Sequence, residues 1–140
     1  MEIRERDYMM RQFRQLAIVL ARLMGFKESN DHESALSLIE DSYKDILDLD
    51  LKSVKAMSSQ ELLDYLLKKK NMDLPSLEKV GELLMEEAYL YGNDSASDLF
   101  FSRGQKALYL LNYVQDHDQT FSLARKTLID RLQKKLAGIN

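Results

Sequence analysis

Two histidines stand between carboxylates, in Asp31-His32-Glu33 and Asp116-His117-Asp118. Imidazole and carboxylate together can bind transition metals, but a site needs three or four such ligands converging on one point. Both trios fall where helices are expected to meet, and turns between helices ordinarily have this composition, so they read as turns and no metal site is expected. The carboxylate pairs Glu86-Glu87 and Asp48 with Asp50 have the types needed for acid-base work or cation binding. In so acidic a stretch they read as a solvated face, and Asp48-Leu-Asp50-Leu-Lys52 lacks the glycine and closing glutamate of a calcium loop. Serine, histidine and aspartate all occur, without a nucleophile elbow, a glycine-rich phosphate loop or an HExxH motif. Cysteine is absent, so the chain offers no disulfide, thiolate ligand or cysteine nucleophile, and a reducing cytoplasmic setting is expected. The chemistry-bearing residues therefore predict a protein that is not an enzyme and carries no cofactor.

The 140 residues, 45% of them hydrophobic, suit one core, and residues 1–140 are read as a single domain. The opening Met1 to Tyr8 mixes both charge signs and lacks the apolar core of a signal peptide, so the chain is expected to stay in the cell. The longest apolar run, Leu16 to Ala21, has six residues, whereas a membrane span requires about 20. The net charge of −3 is unevenly spread: residues 1–27 carry +3, residues 28–100 carry −10, and residues 125–140 carry +4. Basic ends around an acidic middle are not a nucleic-acid footprint; they favour contact of ends with middle, within one molecule or between two.

A single proline and strong helix formers throughout predict helices nearly everywhere and negligible strand. The first helix is expected over 4–24, with Ile3, Met10, Phe13, Ala17, Leu20 and Met24 as its inward stripe, Gly25 as its stop, and Leu16 to Ala21 buried on two sides. Asp31 caps a second helix whose stripe Ala35, Leu36, Ile39, Tyr43, Ile46 and Leu47 ends near Asp48. Residues 49–57 read as a connector with one helical turn. Ser58-Ser-Gln-Glu61 is a capping box, opening a helix that ends at Lys68-Lys-Lys70. Pro75 opens a fourth helix with the stripe Leu77, Val80, Leu84, Ala88 and Tyr91, closed by Gly92. Ser95 caps a fifth to Gln115, and a sixth covers Gln119 to Ala137, packed by Leu128, Leu132 and Leu136, with its basic residues complementing the acidic middle. Short connectors make the last three antiparallel neighbours.

The pairs of helices carry a small, a large and another small residue at intervals of four and three: Ala35, Ile39 and Ser42, then Ser97, Phe101 and Gly104. These positions resemble tetratricopeptide-type hairpins, in which small residues let helices approach while the large one plugs between them. The two matches lie 62 residues apart, not one 34-residue repeat, and the first helices lack the family's Trp, Leu, Gly and Tyr series. The opening Asp7-Tyr8 helix, Leu47-Asp-Leu-Asp50, Ser58-Ser-Gln-Glu-Leu62 and Leu83-Leu-Met-Glu-Glu-Ala88 together resemble a bacterial family of unknown function with a tetratricopeptide-like fold. The resemblance implies an all-α, right-handed array of about six helices in antiparallel hairpins.

One surface strip combines aromatics with amides. Phe101, Gln105, Tyr109, Asn112 and Asp116 fall within about 80° of one another on a helix and are candidates for contact with a peptide or protein partner. The plainer reading is a boundary whose rings lie against the helices over Pro75–Gly92 or Gln119–Ala137. The functional expectation is a protein interaction or scaffolding module. A structural homodimer held through the apolar first helix and the charged ends is the alternative, and a small-molecule-binding helical bundle stands third.

Overall fold

Local capping decides most of the architecture. In the computed structural model, which describes residues 3–92 and 98–138, the elements are α1 (Ile3–Glu28), α2 (His32–Ser42), a π-helical turn (Tyr43–Leu47), α3 (Leu51–Ala56), α4 (Ser59–Lys68), α5 (Leu74–Tyr91), α6 (Asp98–His117) and α7 (Leu123–Leu136). No strand occurs among the described residues. The all-helical expectation holds, with seven α-helices instead of about six, because Asp50 accepts from the Ser53 N–H (2.7 Å) and gives the connector a helix of its own.

Other caps fall where the residue types put them. Asp31 accepts from the Ser34 N–H at 3.1 Å, and Ser58 and Glu61 exchange bonds at 3.0 and 3.1 Å. Asp73 accepts from the Ser76 N–H at 3.0 Å, with Pro75 in the first turn of α5. Two boundaries differ. Gly25 does not stop α1; the helix runs on to Glu28 and turns at Asn30, whose φ is 56°, while the Asp31 N–H donates to the Phe26 carbonyl at 2.8 Å. At α7 the first turn forms only after Ser122, whose hydroxyl accepts from the Arg125 N–H at 3.2 Å. The expected cap Ser95 and small residue Ser97 lie outside the described residues.

The helices α5 and α6 form the central hairpin, antiparallel because Gly81 lies against Leu111 while Glu87 meets Arg103. In the same way Gly104 abuts Leu136 and Gln115 meets Arg125, so α7 returns along α6. At Gly104 an added Cβ would stand 2.6 Å from Leu136 Cδ2, the close approach its size permits. The helix α1 lies along α5 in the same direction: Phe13 sits by Pro75 near the start of α5, and Lys27 pairs with Glu86 near its end. The core gathers around Leu16, Leu23, Ile39, Tyr43, Leu66, Leu77, Leu84, Leu110 and Leu132.

The inward face of α1 is Gln12, Leu16, Val19 and Leu23, not the expected stripe. Ile3, Met10 and Met24 are 74%, 50% and 48% exposed, and Ile18, within the run expected to be buried on two sides, is 55% exposed. Apolar residues on more than one side of α1 offer two possible inward faces, and the positions of α2 and α5 select one.

Candidate functional site

Period-four rows on α2 and the π turn that continues it build one wall of a groove. Glu33, Ser37, Asp41 and Asp45 form an exposed ridge, while Ser34, Leu38, Ser42 and Ile46 lie in the adjacent row, sinking from half-buried to buried. The Ser42 hydroxyl donates to the Leu38 carbonyl at 2.6 Å, which satisfies it and keeps that wall low. The facing wall is α1, with Gln15, Ile18 and Arg22 exposed at the lip and Val19 and Phe26 below. The space between them is about 600 Å³. It has an apolar floor, carboxylates on one lip and a guanidinium on the other, a form suited to an amphipathic helix.

On the inner side of α2, Glu87 is fully buried and three residues share its carboxylate. Arg103 Nε donates to both oxygens at 2.9 and 2.8 Å, the Tyr43 hydroxyl donates to one at 2.5 Å, and the Tyr91 hydroxyl donates to the other. Burial, then the neighbouring Glu87 charge, holds the Tyr43 hydroxyl well above its usual range, and Tyr91 is raised by burial and by its bond to Glu87. Nearby Lys106 is pushed down by burial and by Arg103, and donates to the Ser102 hydroxyl at 3.0 Å. Glu87 and Tyr91 floor a hollow of about 340 Å³ that Leu36, Ile39, Leu51, Glu33 and Glu40 help to line. With its oxygens occupied by Arg103, Tyr43 and Tyr91, the carboxylate joins α5, α6 and the π turn. Sequence reading put Glu87 on a solvated face, whereas only Glu86 of that pair keeps exposure, paired with Lys27. The usable signal was position: Glu87 stands seven residues after Val80 and Arg103 four before Ala107, each on its helix's buried stripe.

The second carboxylate pair is also engaged. Asp48 ends the π turn with φ 57° and takes the Lys70 ammonium at 2.8 Å, while Asp50 caps α3.

The α6 strip is kept on one side of its helix. Phe101 is half-buried and edge-on to Phe100 at 5.3 Å; Gln105 and Asp116 are exposed, and Asn112 is half-buried. The Tyr109 hydroxyl donates to Gln60 of α4, so this residue reaches a helix that the sequence reading did not assign to it. His32 begins α2, exposed, and His117 ends α6 stacked on Tyr113 at 3.9 Å, with its Nδ1 2.8 Å from the Tyr113 carbonyl. Among the described residues no three His, Asp or Glu side chains gather as a metal site, and no helix is long and apolar enough to cross a membrane.

Basic α7 does reach the acidic middle. Arg125 is 3% exposed and donates to Glu78 at 2.7 Å, Asp118 at 3.1 Å and Gln115 at 2.7 Å. Ile129 and Leu132 are buried beside it, with Leu128 and Leu136 partly so. Compared with family models, with curated proteins and with solved structures, the chain matches none.

Proposed function

We propose that this chain is a non-catalytic interaction module that holds a helix or peptide of a protein partner between α1 and α2. The observation that carries this reading is the groove of about 600 Å³, whose floor is apolar and whose lips are charged. The pairing of α1/α2 beside α5/α6, with α1 parallel to α5, supports a tetratricopeptide-like build. A bacterial, cytoplasmic protein is the reading of the sequence resemblance and of the absence of cysteine. The buried carboxylate already bonded to Arg103 and two tyrosines supports binding over chemistry, because it is not free to take a proton from a substrate.

Panning a library of displayed helical peptides tests this. Peptides should be enriched that bind the chain and lose binding to Ile18→Glu, which leaves the core untouched because Ile18 is exposed. Enrichment of no peptide that distinguishes the two proteins overturns the groove reading.

A second reading has its own observation. Six of the nine large exposed apolar side chains among the described residues, Ile3, Tyr8, Met10, Phe13, Ile18 and Met24, lie on α1. Ile3, Met10, Ala17 and Met24 recur every seven residues, the spacing of a coiled-coil seam, so a second copy could pack there antiparallel. Light scattering at rising concentration separates a dimer lost in Met10→Glu from a monomer throughout.

A further inference from the structure

Fourteen carboxylates lie between residues 29 and 90. Four cap helices: Asp31, Asp50, Glu61 and Asp73. Six are paired with lysine or arginine: Glu40, Asp48, Glu78, Glu82, Glu86 and Glu87. Asp64 accepts from Gln60. The remaining three, Glu33, Asp41 and Asp45, have neither hydrogen bond nor ion pair among the described residues, and all three line the α1–α2 groove. Asp41 and Asp45 stand four apart, where like charges oppose their own helix. The other eleven acids of residues 29–90 are caps, ion pairs or hydrogen-bond acceptors; along this ridge three stand open together, beside an apolar floor of Val19, Leu38 and Ile46.

We propose that the occupant of the groove is a cationic amphipathic helix, its apolar edge on Val19, Leu38 and Ile46 and its Lys and Arg residues against Glu33, Asp41 and Asp45. The inference rests on the interaction-module reading and names the chemistry of the partner. The ridge from Glu33 to Asp45 spans twelve helical steps, about 18 Å, which fits about three turns of a partner helix. Apolar residues at i, i+3 or i+4 and i+7 would face the floor, with basic residues along one flank. Arg22 on the opposite lip, which also has no ion-pair partner among the described residues, makes the site asymmetric. It disfavours basic residues on the partner's other flank and so fixes the direction in which the helix lies.

Two 18-residue peptides with the same leucine stripe, one flanked by lysine and one by glutamate, test this by fluorescence anisotropy at low salt. The lysine peptide should bind at least about tenfold more tightly, and weaken as salt rises. In the variant Glu33→Gln/Asp41→Asn/Asp45→Asn, whose fold is checked by circular dichroism and melting, the lysine peptide should lose its advantage. Equal binding to the unaltered protein, or a lysine peptide indifferent to the triple variant, overturns the cationic partner while leaving an apolar groove in place. Binding of neither peptide, or binding that Ile18→Glu does not weaken, overturns the groove as a helix site and with it both readings.

Discussion

Glu87 and Arg103 form a fully buried ion pair in which the one Nε–H of the guanidinium is shared between the two carboxylate oxygens, 2.9 and 2.8 Å away. Removing one partner of such a pair leaves an uncompensated charge in the core, which costs about 3–5 kcal/mol. Arg103→Met is therefore expected to lower stability by that amount, and Glu87→Gln by a similar amount. The double variant should be less damaged than the two losses added. Denaturant melts around the double-mutant cycle measure the difference, and losses that simply add would show that the two residues do not act as a pair. Because both groups are buried, the coupling should persist at high salt.

Alkaline pH should attack the same region. Tyr89 is pushed up to about 12, chiefly by burial, and burial also raises Tyr43 and Tyr91. A folded-state pKa above the unfolded value of about 10 means that the unfolded chain releases its proton first. The contribution is complete below pH of about 10 and is lost as pH rises towards 12. The melting temperature should be flat from neutrality to about pH 9 and then fall, and the last part of the phenolate absorbance of the seven tyrosines should appear only with unfolding. Ionisation of all seven tyrosines while the fold is intact would contradict this.

The Tyr89 hydroxyl is buried without a hydrogen-bond partner among the described residues, while Lys135 stands 4.6 Å from the centre of its ring. Phenylalanine keeps the ring and its cation contact and removes the unsatisfied group. Tyr89→Phe is expected to raise stability by about 1 kcal/mol and to flatten part of the alkaline loss. A destabilised variant in urea melts would mean that the hydroxyl has a partner in solution.

Gly25 lies in α1, and a Cβ there would meet nothing within 4 Å. With ordinary helical backbone and open space, alanine removes the entropic cost of glycine. Gly25→Ala should stabilise by about 0.5–1 kcal/mol in the same melts. No gain would show that α1 ends at Gly25 in solution, as its sequence suggests.

The caps at Asp31, Ser58 with Glu61, and the start of α5 at Pro75 were legible because capping couples residues only a few positions apart. The face of α1 was not, since its apolar residues fall on more than one side and periodicity chooses Met10 and Met24 as readily as Leu16 and Leu23. Glu87 was misread for a related reason. Its burial depends on Arg103, 16 residues away, and Tyr43, 44 away, and only tertiary pairing brings these together. The groove needs α1 and α2 side by side, so its open carboxylates look no different in sequence from the eleven that the fold engages. The α6 strip was legible as a face, because helical spacing alone sets it, whereas the contact of Tyr109 with Gln60 depends on where α4 lies.

The charge pattern foresaw a basic end meeting the acidic middle, and Arg125 is where it does so, joining the first turn of α7 to Glu78 of α5 and to Asp118 beyond α6. Leu128, Ile129, Leu132 and Leu136 pack the rest of α7, and Arg125 is the charged group that ties its first turn to α5, so the attachment of that end should depend on this guanidinium. Arg125→Gln is expected to speed amide exchange in α7 by about tenfold while α5 keeps its protection, a local opening with the hairpin intact. High salt should produce part of the same effect in the unaltered protein, since Glu78 retains some exposure. Equal acceleration in α5 and α7 would mean that the terminal helix and the central hairpin open as one unit, and unchanged exchange would mean that the leucine contacts alone hold it.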